Sequence, residues 1–331
     1  LQEWTTLASG AQLKPGGKDA RLPALRARLI AQGYLAVPPE ELGSTYDLAT
    51  QSALENFQRD HGLNPDGILG PASLTELNIS PQLRREQLRA NLERLRWLAD
   101  SMGKAEVLIN VAAAEIQVQR DNQLLWRTRT QVGRAERQTP LLASSIMRLT
   151  LNPTWTVPPT ILREDKLPAI RDDISYLERH QMSVLDRDGN LLDPQSIDWE
   201  SPGAIRLRQS AGSHNPLGRV AVRFDNPFAV YLHDTPSQQL FSKAPRAFSS
   251  GCVRVEAVDT LLAWLLTPDE LSSVQTRIAS GETQQYRLQH PAPLLIAYWT
   301  VEASKDGALR YYPDIYARDM RLVKALAPNV H

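Results

Sequence analysis

The chain has 331 residues, 42% of them hydrophobic and 22% charged, with 37 Lys and Arg balanced by 37 Asp and Glu. That is enough chain for two domains with ordinary cores, and a net charge of zero offers no bulk field to attract a nucleic acid or another polyanion. The single cysteine excludes an intramolecular disulfide and a Cys-rich zinc site, and no run of roughly 18 apolar residues is present to cross a membrane.

Leu22, Leu25, Leu29 and Ile30 recur at helical spacing up to Gly33, and Ala49, Ala53, Leu54 and Phe57 form a second such face that closes near Gly62. Asp66-Gly67 and Gly70-Pro71 punctuate turns before a short helix carrying Leu74 and Leu77, so residues 1–80 read as a small helical module. Ser80-Pro81 breaks the chain there. Residues 83–98 then predict an amphipathic helix with Leu88, Leu92, Leu95 and Leu98 on one face, a connector over 81–104 and not a membrane helix.

From Glu106 the period becomes strand-like, with a hairpin signal at Asp121-Asn122 and further strands expected near 145–152, 218–224 and 228–233. Residues 155–214 interrupt this pattern. Their Pro-rich entry and helical turns near 161–167 and 170–177 predict an inserted lid or cap, since so long a plain loop is unusual in a compact sheet domain. Trp155 stands at its hinge and either lines a cleft or pins the turn. His180 and His214 lack carboxylates at ligand spacing and read as surface residues, so no metal is expected. A helix over 257–266, strand-like runs at 286–288 and 294–300, and a turn at Asp306-Gly307 complete the chain.

The chemistry concentrates in residues 231–255, YLHDTPSQQLFSKAPRAFSSGCVRV. The lone Cys252 follows His233 by nineteen positions, Lys243, Arg246 and Arg254 surround it in sequence, and no acid lies between Asp234 and Glu256. A thiol attacks as its thiolate, which an imidazole and positive charge favour. Ser249-Ser250-Gly251 is a small-residue turn whose N–H groups can approach a reacting carbonyl oxygen. Asp234 is adjacent to His233 and so points to the opposite face of an extended strand; the expectation is a Cys–His dyad with the imidazole held by a backbone carbonyl or another polar group. The alternative is a buried, inert thiol, the common fate of a free cysteine.

The spacing H-x18-C with SSGCVR resembles the active-site signature of the L,D-transpeptidases, the YkuD-domain enzymes that cross-link peptidoglycan. Ser250 stands where that family usually has His, and Arg254 where Asn is frequent; both departures occur in its large proteobacterial members. The string ALRARL…GYL…ALENFQRDHGLNPDGILGPASLTEL over residues 20–78 resembles the peptidoglycan-binding domain of many wall enzymes, and Arg137-Gln138-Thr139-Pro140 and Asn215-Pro216-Leu217-Gly218 resemble loop motifs of the catalytic domain.

The resemblance implies an α+β multidomain protein: a helical peptidoglycan-binding domain over 1–80, the connector 81–104, and a β-sandwich-like catalytic domain over 105–331 carrying a capping subdomain at about 155–214. It implies a thioester acyl-enzyme on Cys252, with His233 as base and acid and with Gly251 and Cys252 N–H groups on the oxyanion. Arg254 would bind a donor carboxylate or form a structural salt bridge, and Ser249, Ser250, Tyr231 and Trp155 would line the pocket. The implied reaction releases D-alanine from a tetrapeptide stem and joins a second stem in a 3–3 cross-link, without a cofactor. The same dyad would serve an L,D-carboxypeptidase or endopeptidase or a lipoprotein-attaching enzyme, and an inert thiol would leave a wall-binding scaffold. Peptidoglycan stems, other cell-wall synthesis proteins and carbapenem-type β-lactams are the implied partners and inhibitors. The implied location is the periplasm, with a signal peptide or anchor absent from this sequence.

Overall fold

The computed structural model describes residues 4–36, 44–121, 123–304 and 307–327; Asn122 and Asp306, each half of an expected turn, lie outside them. Helices Leu22–Ala31 (α1), Leu48–Asp60 (α2) and Pro71–Leu77 (α3) follow the predicted periodicity. They enclose their own core of Leu22, Leu25, Leu29, Leu54 and Phe57. Asp47 caps α2 by accepting from the Thr50 N–H at 2.8 Å.

Helix Pro81–Lys104 (α4) departs from the expected face. Ala90, Asn91 and Arg94 are its buried residues, and Leu92 is 56% exposed. The reason is polar docking: Asn91 accepts from the Thr300 N–H at 2.7 Å and donates to Thr300 Oγ1 at 2.9 Å, while Arg94 pairs with buried Asp319. A hydrophobicity pattern cannot report a helix face fixed by an amide and an ion pair.

Beyond it come strands Val107–Asn110 (β1), Glu115–Arg120 (β2), Gln123–Gly133 (β3) and Leu142–Leu151 (β4). The insert contributes Trp155–Thr156 (β5), helical turns Pro159–Ile161 (α5), Leu167–Asp172 (α6) and Tyr176–Arg179 (α7), then Met182–Leu185 (β6), Leu191–Leu192 (β7) and Arg206–Gln209 (β8). A wide π-type turn, Leu162–Lys166, joins α5 to α6. The four short strands pair in the order β5-β8-β6-β7 over Val157, Ile170, Val184 and Leu207, a sheet that the sequence pattern did not reveal.

The chain returns through Val220–Phe224 (β9), Leu232–His233 (β10), Ala247–Ser249 (β11) and Val253–Val255 (β12). The expected strand over 228–233 is therefore only two residues long. Asn226 turns the chain instead, accepting from the Val230 N–H at 3.2 Å and donating to the Val230 carbonyl at 2.9 Å, and Ala229 adopts φ +54°. Helices Val258–Leu265 (α8) and Pro268–Ala279 (α9) lead to the 14-residue strand Gln284–Ala297 (β13), the hairpin Val301–Ala303 (β14) and Leu309–Tyr311 (β15), and helix Asp319–Ala325 (α10).

Among the described residues, nine strands form one sheet in the order β11-β3-β12-β10-β9-β4-β13-β1-β2, and β2 pairs again with β3. The sheet thus rolls around a core that includes Ile109, Leu149, Val222, Leu232 and Val253. Its other side, from β12 through β10, β9 and β4 to β13, faces outward and carries the candidate site.

His61 joins the helical module to the β14–β15 hairpin, stacked on Phe57 at 3.9 Å and on Tyr311 at 5.2 Å between ring centroids. Burial, with Arg84 nearby, holds its pKa down to about 3. The unfolded chain therefore binds this proton at a higher pH than the folded chain does, so the contribution is complete above about 6.5 and is lost as pH falls towards 3. Denaturant titrations of wild type and His61→Gln across that window are expected to show a shallower acid dependence in the variant.

Candidate active site

Backbone register assembles the site. Leu232 pairs with Val253 and His233 with Arg254 in parallel strands, and the Val253 N–H donates to the Tyr231 carbonyl at 3.1 Å. Leu232 and Val253 point into the core, so Tyr231, His233, Cys252 and Arg254 share the outer face. Cys252 sits diagonally across from His233. Both line a cavity of 330 Å³, together with Tyr231, Arg254, Trp155 and Arg137. Ser249 and Ser250 reach its wall as well.

His233 is 3% exposed, and its Nδ1 lies 2.5 Å from the Asp234 carbonyl oxygen. A carbonyl only accepts, so Nδ1 carries the proton and Nε2 is the basic nitrogen of the neutral ring. Burial, reinforced by Arg254 and Arg223, holds the imidazole pKa down to about 3. The Asp234 carboxylate turns the other way, accepting from the Arg219 N–H at 3.0 Å, so it is no third member of a triad.

Burial pushes the Cys252 thiol above its usual range, opposed by hydrogen bonding from Tyr231 and by the charges of Arg223 and Arg254. The cations near the sulfur differ from those suggested by sequence proximity. Arg246 is spent on the Ala113, Ala114 and Thr130 carbonyls, and Lys243 is exposed outside the cavity. Arg223, from β9, lies over the Tyr231 ring at 3.9 Å and takes their place.

The loop leading to Cys252 is tied from several sides. Ser249 Oγ donates to the Cys252 carbonyl at 2.5 Å and accepts from the Gly251 N–H at 3.1 Å. Thr139 Oγ1 donates to the Gly251 carbonyl at 2.9 Å and accepts from the Gly133 N–H at 2.8 Å. Gly251 adopts φ +115°, a conformation that favours glycine. Its N–H is already engaged, in contrast to the paired donors expected from the sequence; of those two, only the Cys252 N–H has no acceptor among the described residues.

Arg254 also differs from one of its expected roles. It donates to Gln131 Oε1 at 3.0 Å, forms no salt bridge among the described residues, and keeps a buried Nε without a partner. Trp155 lines the cleft, and Lys166 sits 5.6 Å from its ring centroid. No group of three or more potential metal ligands occurs among the described residues, where His180 and His214 are both exposed.

The YkuD L,D-transpeptidase catalytic domain profile matches residues 104–285, more than half of the chain, and the "Putative peptidoglycan binding domain" profile matches 18–77. The chain belongs to the YkuD L,D-transpeptidase family. A Haemophilus influenzae protein named "Putative L,D-transpeptidase" is 36% identical over 244 residues, covering 72% of this chain and 49% of that protein. The chain thus spans about half the length of the curated relative it matches. An L,D-transpeptidase structure from Xylanimonas cellulosilytica is 14% identical, covers 88% of this chain and 99% of its own, and has a TM-score of 0.28. An L,D-transpeptidase solved in complex with imipenem is 15% identical over 59% of each chain, with a TM-score of 0.27. Likenesses of that size carry no weight in the assignment.

In this YkuD domain the most consequential residue missed as a site candidate is Arg137, noted only as part of a loop motif. It donates to Ser250 Oγ at 2.9 Å, to Asp165 Oδ2 at 2.8 Å and to Glu164 Oε2 at 2.6 Å, tying the π-type turn of the insert to the residue two before the thiol. Arg137 holds both carboxyl groups below their usual range. Because those pKa values are depressed, the tie is intact above the ordinary carboxylate range and weakens as pH falls through the lowered values. Arg137→Ala is expected to raise amide exchange across 159–172 at neutral pH, and wild type is expected to approach the variant in acid. Hydrogen exchange resolved by peptide checks both.

Proposed function

We propose that the protein is a peptidoglycan L,D-transpeptidase that forms 3–3 cross-links through a thioester on Cys252. The observation that carries this reading is the pairing of a thiol and an imidazole in one capped cavity, with Nδ1 fixed on the Asp234 carbonyl so that Nε2 is the base. With His233 held down and the thiol pushed up, the resting dyad is neutral. His233 takes the proton as sulfur attacks the carbonyl between the L-centre of diaminopimelate and terminal D-alanine. The Cys252 N–H stabilises the tetrahedral oxyanion. The C–N bond breaks, His233 returns the proton to the departing amine, and D-alanine leaves.

A side-chain amine of a second stem then attacks the thioester; C–N forms, C–S breaks, and the amine proton passes through His233 to sulfur. The unpartnered Arg254 Nε favours binding of a donor carboxylate in the cavity. Trp155, Tyr231, Ser249 and Ser250 serve as cavity walls, and Gly251 gives the loop its turn. We divide the chain for this role into a wall-gripping module over 1–80, a connector over 81–104, and a catalytic domain over 105–331 with a cap at about 155–214. The same reading puts the protein in the periplasm beside its substrate and makes Cys252 the target of carbapenems.

Incubating the full chain with a purified disaccharide-tetrapeptide and analysing products by mass spectrometry tests the reading. A cross-linked dimer with one D-alanine released, absent with Cys252→Ala, is expected. Tripeptide monomer alone would make the enzyme a hydrolase, and a product unaffected by Cys252→Ala would remove the thiol from the chemistry.

A further inference from the structure

The outer sheet face continues past the capped cavity. Arg223 of β9 pairs with Arg148 of β4, and Arg148 pairs with Arg287 of β13, so three arginines stand abreast on adjacent strands. Leu232 pairs with Val222, which places Tyr231 opposite Arg223, and Cys252 lies beside Tyr231. The row therefore runs Cys252, Tyr231, Arg223, Arg148, Arg287. With strands ~4.8 Å apart, its four steps span about 19 Å, the length of five or six extended residues.

The arginine end of this row forms an open groove of 690 Å³, lined also by Thr150, Asp225 and Gln285. Its charges are poorly matched. Asp225 approaches Arg148 at 3.8 Å with both side chains more than half exposed, a pairing of little worth, and Arg287 has no ion pair among the described residues. Like charges directly opposite one another across strands repel, so the bare row is destabilising. Guanidinium groups match carboxylates bidentately, and an extended ligand crossing the strands would meet one every ~4.8 Å. Arg223 is the shared wall: it lines the groove and stacks on Tyr231, which lines the cavity.

We propose that this groove seats the acyl acceptor, an extended peptide stem bearing several carboxylates, with its amine end directed along the row to Cys252. The assignment rests on the transpeptidase reading. The capped cavity holds His233 and the unpartnered Arg254 Nε and suits the donor, whereas the groove opens at the sheet surface, where a second stem still attached to its glycan can enter without passing the cap.

The test uses the full chain and a tripeptide-stem acceptor, which lacks the terminal D-alanine and cannot act as donor. Thioester formation from a tetrapeptide donor is followed by intact mass, and cross-link formation is followed against acceptor concentration. In Arg148→Gln/Arg287→Gln the acceptor KM is expected to rise ~10-fold or more, with kcat and thioester formation changed less than about twofold. Arg148→Lys/Arg287→Lys is expected to recover part of the loss. An unchanged acceptor KM overturns the proposal, as does a fall in thioester formation equal to the fall in transfer, because the groove would then hold the donor or be structural. Inorganic phosphate competing as well as the stem does would also overturn it, leaving a generic anion seat. If wild type forms no cross-link, the transpeptidase reading fails separately, and calorimetric titration of the same tripeptide stem onto full-length Cys252→Ala decides the groove. Binding lost with the two arginines supports it; binding that is absent or unaffected by their loss overturns it.

Discussion

Replacing His233 by glutamine is expected to slow thioester formation by about 10²–10⁴-fold, the usual worth of a positioned general base. Glutamine can keep a donor towards the Asp234 carbonyl but supplies no basic nitrogen in place of Nε2. The pH profile separates this role from a structural one. Because burial holds His233 down to about 3, the imidazole is neutral and able to accept a proton throughout pH 5–8. Wild-type acylation should therefore show no loss near 6.5 from protonation of an ordinary histidine. The variant depends on spontaneous ionisation of a thiol whose pKa is itself raised, so its rate should climb with pH across the same range. Intact-mass time courses at several pH values check both, and an inflection near 6.5 in wild type would show that His233 titrates normally.

Gly218→Ala is expected to damage stability and activity together. Gly218 adopts φ +61°, and a Cβ built there would lie 2.6 Å from Asp234 Cβ, well inside van der Waals contact. Asp234 is held on this side by the Arg219 N–H at 3.0 Å, while its carbonyl orients His233 at 2.5 Å, so displacement of Asp234 reaches the His233 imidazole. Gly189→Ala is the matched control, with φ +92° and nothing within 4 Å of its built Cβ. That control carries only backbone strain, on the order of 1–2 kcal/mol. Thermal unfolding should place Gly218→Ala well below Gly189→Ala, and only the former should lose acylation activity. Equal effects in the two variants would mean that the approach to Asp234 is relieved without cost.

The parts of the protein legible in its sequence are those whose cause is local. Apolar spacing identified α1 and α2, and the sequence around Cys252 together with the placement of His233 singled out two residues that line one cavity. Strand alternation turned the Asp234 side chain away from His233 and left a backbone carbonyl or another polar group to hold the imidazole; the Asp234 carbonyl is the one that does. Features set by distant partners were not legible. The buried face of α4 depends on Thr300 and Asp319, more than 200 residues away. The strand at 228–233 yields to a turn built by one Asn226 side chain. The sheet of the insert consists of strands of two to four residues, too short to show a period. Arg223, Arg148 and Arg287 are ordinary surface residues in the linear chain, and only strand register brings them into one row with Cys252.

The most direct test of the central claim is the intact mass of the full chain after brief exposure to a disaccharide-tetrapeptide, with proteolytic mapping of any adduct. The account predicts a gain equal to the donor less D-alanine, located on Cys252 and absent from Cys252→Ala. No covalent adduct under conditions where the wild type consumes donor, or an adduct that persists in Cys252→Ala, would contradict it.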